Sequence, residues 1–108
     1  MTKEYVKVGT KSEVPEGTVK VVEAGARRVA LCHSHSGFFA VADICSHDGG
    51  PLGEGELVDD QIECPRHGAR FDVRSGKPTC LPAVVPIPAY EVEARGDELW
   101  VSIEGHSK

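Results

Sequence analysis

Cys45-Ser46-His47 and Cys64-Pro65-Arg66-His67 offer two thiols and two imidazoles as matched pairs, with sixteen residues between them. Two sulfur and two nitrogen donors delivered in this way are a ligand set for one transition-metal centre. Structural zinc accepts the same four side chains, so donor identity alone leaves more than one metal open. The pairing narrows the choice. Zinc fingers usually bring Cys with Cys and His with His, whereas each short segment here carries one of each. A mixed [2Fe–2S] cluster suits that arrangement, because each segment then gives its thiolate to one iron and its imidazole to the other. The spacing favours an iron–sulfur centre that carries electrons.

Regular strands must hold these segments in place, and the alternation of apolar and polar residues predicts them on both sides. Tyr5-Val6-Lys7-Val8 starts a strand that ends in a turn over residues 12–17, and residues 19–23 form a second. Residues 28–33 and 38–42 make a hairpin across His35-Ser36-Gly37. The stretch from Ile44 to Pro88 is rich in Gly and Pro and has room only for short strands at 56–58, 61–63 and 70–73. Pro82, Pro86 and Pro88 cannot donate ladder hydrogen bonds and imply an extended return path. Alternation resumes at 89–94, turns at Arg95-Gly96-Asp97 and finishes at 98–103. No stretch keeps a helical period over ten positions, so the expected fold is all-β: an antiparallel sandwich or barrel base with a loop-rich cluster-binding subdomain at about 44–82.

A chain of 108 residues with 40% apolar and 27% charged content fits one globular domain, expected to span residues 1–108. Twelve Lys and Arg against seventeen Asp and Glu give a net charge of -5, which argues against duplex nucleic acid and favours docking on basic partner surfaces. No apolar run approaches the ~20 residues of a membrane span, and Met1-Thr2-Lys3-Glu4 lacks a secretion signal, so a cytoplasmic protein without membrane attachment is expected. Cys32 and Cys80 remain outside the ligand set and read as small buried hydrophobes at strand positions. His33, His35 and His106 read as surface histidines.

The pattern Cys-x-His-x16-Cys-x-x-His, followed by Gly68 and Phe71-Asp72, resembles the signature of the Rieske [2Fe–2S] proteins. The motif covers residues 45–72, and the strand pattern is similar to that of a Rieske domain over nearly the whole chain. The resemblance implies one [2Fe–2S] cluster, with Cys45 and Cys64 on the inner iron and His47 and His67 on an outer iron close to the surface. Those two imidazole edges would be the exit for the electron. Pro51, Leu52, Pro65, Arg66 and Pro82 would form a docking patch around them, with Asp48 and Glu54 at its rim.

Departures from the pattern indicate which kind of Rieske protein to expect. Rieske proteins of cytochrome bc complexes carry an extra cysteine in each cluster loop, forming a disulfide, where this chain has Gly50 and Arg66. They also place Ser and Tyr hydroxyls on the cluster sulfurs where this chain has Ala69 and Phe71. Hydrogen bonds to sulfur stabilise the reduced, more negative cluster, so their loss lowers the potential, here to roughly -150 mV. Asp48 and Glu63 would push the same way if they lie close, with Arg66 opposing them. A short chain with such a domain resembles the ferredoxin components of bacterial aromatic-ring dioxygenases, which are not themselves enzymes. These take electrons from a flavin-containing ferredoxin reductase and pass them to a terminal oxygenase in aromatic hydrocarbon catabolism. The oxygenase role itself is excluded, because its mononuclear iron requires a further domain with two His and a carboxylate. The small Rieske-like subunit of assimilatory nitrite reductase is the alternative, and a redox-responsive binding module is a third reading.

Restoring the two hydroxyls tests the potential directly. Ala69→Ser and Phe71→Tyr should each shift the midpoint measured by protein-film voltammetry upward, and an unchanged or lower value would refute the hydrogen-bond account.

Overall fold

The computed structural model describes residues 4–44, 50–65, 68–81, 83 and 85–102. Three antiparallel sheets account for the strands among them. The first has the order β1 (Tyr5–Thr10), β11 (Glu98–Ser102), β10 (Val92–Arg95). The second runs β2 (Val19–Ala24), β3 (Arg27–Ser34), β4 (Gly37–Ala42), β9 (Ala89–Tyr90). The third is β5 (Glu56–Val58), β6 (Gln61–Glu63), β7 (Arg70–Asp72), β8 (Pro78–Cys80).

The second sheet is buried on both faces. Side chains alternate across a strand, so Val29 and Leu31 of β3 enter one core while Ala30 and Cys32 enter the other. On β4, Ala40 and Ala42 share the first core and Val41 the second. The first core is completed by Val14, Tyr90, Leu99 and Val101, the second by Leu52, Ile62, Phe71, Val73 and Ile87. This double burial explains the unbroken apolar run Val29-Ala30-Leu31-Cys32, which a sheet with one wet face would interrupt with polar residues. The all-β base and the loop-rich subdomain on it are as the sequence implies.

Local differences from the expected strands have identifiable causes. The stretch 89–94 is two strands, because β9 pairs with β4 in one sheet and β10 pairs with β11 in another. Glu91 sits at the crossing, where its carbonyl accepts the Ser102 N–H at 2.9 Å. An alternating pattern looks the same whichever sheet the strand joins. β8 is an added edge strand, with Pro78 at its first position, where a missing N–H costs no ladder bond. β1 runs on to Thr10 past an irregularity between Lys7 and Gly9 and leads into a 3₁₀ turn at Lys11–Glu13, where the Thr10 N–H donates to Glu13 Oε1 at 2.8 Å. The connections Gly25-Ala26, His35-Ser36 and Gly96-Asp97 are two-residue hairpin turns, flanked by the pairs Ala24 with Arg27, Ser34 with Gly37 and Arg95 with Glu98.

A polar clamp joins the second and third sheets through their turns. Arg74 Nη2 donates to Asp60 Oδ2 at 2.7 Å and to Ser36 Oγ at 2.9 Å, and Ser36 Oγ donates to Asp60 Oδ2 at 3.0 Å. The Arg74 guanidinium also lies 5.6 Å from the Phe39 ring centroid. Hydrogen bonding from Ser34, then from Ser36, together with the Arg74 charge, holds the Asp60 carboxyl below the usual aspartate range. A carboxyl whose pKa is depressed on folding contributes stability that is present above its unfolded pKa of about 3.9 and is lost as pH falls through the folded value. Asp60→Asn should therefore flatten the acid limb of the stability curve below about pH 4, as read by thermal melts across pH. An acid limb with the wild-type slope would remove Asp60 from the acid response.

Candidate metal centre

Of the four candidate ligands, Cys64 is described, whereas Cys45, His47 and His67 lie outside the described residues. Asp48, Arg66, Pro82 and His106 lie outside them too.

Cys64 follows the last residue of β6, and the chain turns back at once into β7. The Cys64 N–H donates to Ala69 O at 2.6 Å, and the Gly68 N–H donates to Cys64 O at 3.1 Å. Gly68 takes φ +76, a left-handed conformation that glycine adopts without a Cβ penalty, and this lets the loop close. Cys64, Gly68 and Ala69 thus close the base of a tight connection between β6 and β7. Cys64 itself is buried among the second core's apolar side chains.

The first ligand segment leaves β4 through Asp43 and returns at Leu52. Asp43 Oδ1 accepts the Leu52 N–H at 2.9 Å and the Gly53 N–H at 2.6 Å. Its carboxylate is 1% exposed, with Arg28 Nη2 3.4 Å from Oδ2. Leu52 is fully buried in the core that holds Cys64. Gly53 passes so close to β2 that a Cβ there would lie 2.0 Å from Val21 Cγ2. Sequence reasoning missed Asp43. Its place at the strand end, two residues before the first cysteine, does not by itself show that two amides converge on it.

A cleft of about 350 Å³ opens beside Cys64, bounded by Pro65, Gly68 and the carboxylate-bearing Glu54, Glu56 and Glu63. Glu63 Oε2 lies 3.6 Å from Arg70 Nε, its cross-strand partner on β7. Arg70 is therefore a cation beside Glu63, a role the sequence suggested only for Arg66. Ala69 and Phe71 are fully buried in the same core as Cys64, and neither brings a hydroxyl into it. The donor chemistry fits an iron–sulfur cluster: a buried thiol on apolar packing, next to an open cleft, suits a sulfide-bridged iron better than a hydrated hard cation. Among the described residues, no group of three or more His, Cys, Asp or Glu side chains could hold a separate metal ion.

Several expected surface roles are corrected. Leu52, named for the docking patch, is buried, whereas Pro51 and Pro65 are exposed and Glu54 is exposed at the rim. Ile44, next to Cys45 in sequence, and Leu81, next to Pro82, are exposed large apolar side chains, 44% and 74% accessible. His33 is half-buried: its ring stacks on Phe38 at 3.9 Å, and Nδ1 lies 2.7 Å from Val14 O, which can only accept, so that nitrogen is the donor. His35 is exposed in its turn, as expected.

The two cysteines outside the ligand set differ from each other. Cys32 is fully buried, as expected, and burial pushes its thiol up to about 12. Cys80 is exposed, contrary to expectation, because β8 is an edge strand and its third residue faces solvent. A thiol-reactive dye added to the native holoprotein should therefore label Cys80 within minutes and Cys32 only after unfolding. Peptide mapping that finds Cys32 labelled in native protein would contradict the burial assignment.

No helix among the described residues is long and apolar enough to cross a membrane. The family model described as Rieske [2Fe-2S] domain matches residues 4–91. The ferredoxin component of biphenyl 2,3-dioxygenase from Rhodococcus jostii (strain RHA1) is 38% identical over 99 residues, covering 92% of each chain. The ferredoxin of carbazole 1,9a-dioxygenase from Nocardioides aromaticivorans IC177 superposes with a TM-score of 0.88 at 33% identity, covering 93% of this chain and 98% of that one. A chain from the complex of reduced oxygenase and oxidized ferredoxin in carbazole 1,9a-dioxygenase superposes with a TM-score of 0.90 at 35% identity, covering 99% of this chain and all of that one (100%). The buried Cys64, the junction of Asp43 with Leu52 and Gly53, and these matches agree, and the chain belongs to the Rieske [2Fe–2S] domain family.

Proposed function

We propose that this chain is a one-electron carrier, the ferredoxin component of a ring-hydroxylating oxygenase system. The carrying observation is the near end-to-end likeness, at 35% identity, to a chain from a complex of oxygenase and ferredoxin. The relatives' names speak for this role over the nitrite reductase alternative. The ferredoxin is an electron-transfer component and not the enzyme that hydroxylates substrate.

In this reading, residues 1–108 form one Rieske domain, and Cys45, His47, Cys64 and His67 hold its single [2Fe–2S] cluster. When bound, the cluster supplies a reversible one-electron couple. The chain's own residues do the rest. Cys64 anchors the ligand set from inside the core, and Gly68 and Ala69 close the connection that carries His67 in sequence. Glu54, Glu56 and Glu63 give the neighbouring surface a negative charge that favours a basic partner face. Ile44, Pro51, Pro65 and Leu81 supply apolar contacts for a short-lived encounter of less than ~1,200 Å². The electron donor is a flavin-containing ferredoxin reductase, and the acceptor is a terminal oxygenase acting on an aromatic ring. Both dock at the His47/His67 tip, in the cytoplasm.

Ligand substitutions test the centre and reconstitution tests the role. Cys45→Ser and His67→Cys should abolish the normal visible cluster spectrum, while Cys32→Ser and Cys80→Ser should retain it. If either of the last two bleaches the spectrum, the ligand assignment is wrong. The reduced wild-type protein should be reoxidised by a cognate ring-hydroxylating oxygenase purified from the same cell and re-reduced by its flavoprotein. Transfer to a nitrite reductase large subunit alone would overturn the role.

A further inference from the structure

We propose that Asp43 is a positioning residue that closes the first cluster loop and thereby fixes Cys45 and His47 relative to Cys64. This rests on the ligand assignment above. A single carboxylate oxygen accepts two backbone N–H groups, from Leu52 at 2.9 Å and from Gly53 at 2.6 Å, nine and ten residues further along the chain. Both ends of the loop therefore meet at one atom, and the residues between carry half of the ligand set. The junction shortens the span that must be ordered when the ligands bind, which lowers the entropic cost of holding the loop.

The junction is itself immobilised from three sides. The Asp43 N–H donates to Arg28 O at 3.2 Å, which ties it to β3. Leu52 is locked in the apolar core that also holds Cys64. Gly53 lies against Val21, where no Cβ would fit. The carboxylate is 1% exposed and the two amides donate to a charged acceptor, so these hydrogen bonds belong to the stronger kind. The Arg28 guanidinium is 68% exposed at 3.4 Å and is a weaker partner that the positioning does not require. Through Leu52, the first loop is registered against the same packing that places Cys64, and this couples the two ligand segments.

The test is the lifetime of the cluster in the purified holoprotein, followed by visible absorption and circular dichroism during challenge with a ferrous chelator. Asp43→Ala should release the cluster roughly tenfold faster, within the range lost with residues that orient metal ligands. Its visible circular dichroism should also change. Asp43→Asn, which keeps one oxygen acceptor for both amides, should recover most of the wild-type lifetime, and Arg28→Met should match wild type. Val101→Ala, a cavity in the other core, controls for general destabilisation. Measured at the same interval below its own melting temperature, it should leave the lifetime unchanged.

A wild-type lifetime and spectrum for Asp43→Ala, or equal acceleration by Asp43→Ala and Val101→Ala, would overturn the proposal. If Asp43→Ala cannot be isolated, hydrogen–deuterium exchange over residues 50–53 of the wild-type holoprotein decides. Protected amides at Leu52 and Gly53 are expected, and exchange at open-loop rates overturns it. The ligand assignment fails separately, if Cys45→Ser keeps the cluster. A bleached Cys45→Ser beside a neutral Asp43→Ala would sink the positioning role alone.

Discussion

Burial of one sheet on both faces is the constraint on which the other features depend. β3 and β4 send alternate side chains into two cores, so neither the strand pair β10–β11 nor the cluster-bearing sheet can shift without disturbing the layer between them. Burying Leu31 on one face and Cys32 on the other removes apolar surface from water in both directions, at about 25 cal/mol per Å². The sheet that carries Cys64 has strands of only three residues and would be marginal alone. Its rigidity is borrowed from the middle layer through Ile62, Phe71 and Val73, and from the Ser36, Asp60 and Arg74 clamp at the other end.

This dependence explains why some features were legible in the sequence and others were not. The Cys/His pairing, the alternation in β2 to β4 and the terminal hairpin follow from local chemistry and a period of two, both of which a single sequence displays. The switch of sheets at Glu91 was hidden because Ala89 to Ala94 keep one alternation through two different pairings. β8 was hidden because an edge strand of three residues beginning with Pro has almost no period to read. Cys80 and Leu52 exchanged their expected places for a related reason. Exposure depends on which sheet edge or core a residue meets, and Gly- and Pro-rich connections carry little information about that.

Asp43 was illegible on different grounds. A lone carboxylate near a turn is ordinarily a solvated residue, and nothing in its neighbours reveals that two amides nine and ten positions away converge on it. The physical demand is clear in retrospect. A loop bearing metal ligands must have its own backbone groups satisfied, or they compete for solvent and loosen the site. A short acidic side chain at the strand end satisfies two such donors at once.

The same economy bears on the redox chemistry. A carrier that accepts and donates one electron works best when its surroundings change little between the two states. Cys64 is held by a close-packed apolar core, and Ala69 and Phe71 complete that packing without hydroxyls that would have to reorient toward sulfur. With a cluster bound, the absence of hydroxyls at Ala69 and Phe71 would lower its potential, and the paired charges of Glu63 and Arg70 would limit how far the adjacent carboxylates could lower it further. Both effects would follow from one choice of residues, made where the sheet next to Cys64 meets the doubly buried one.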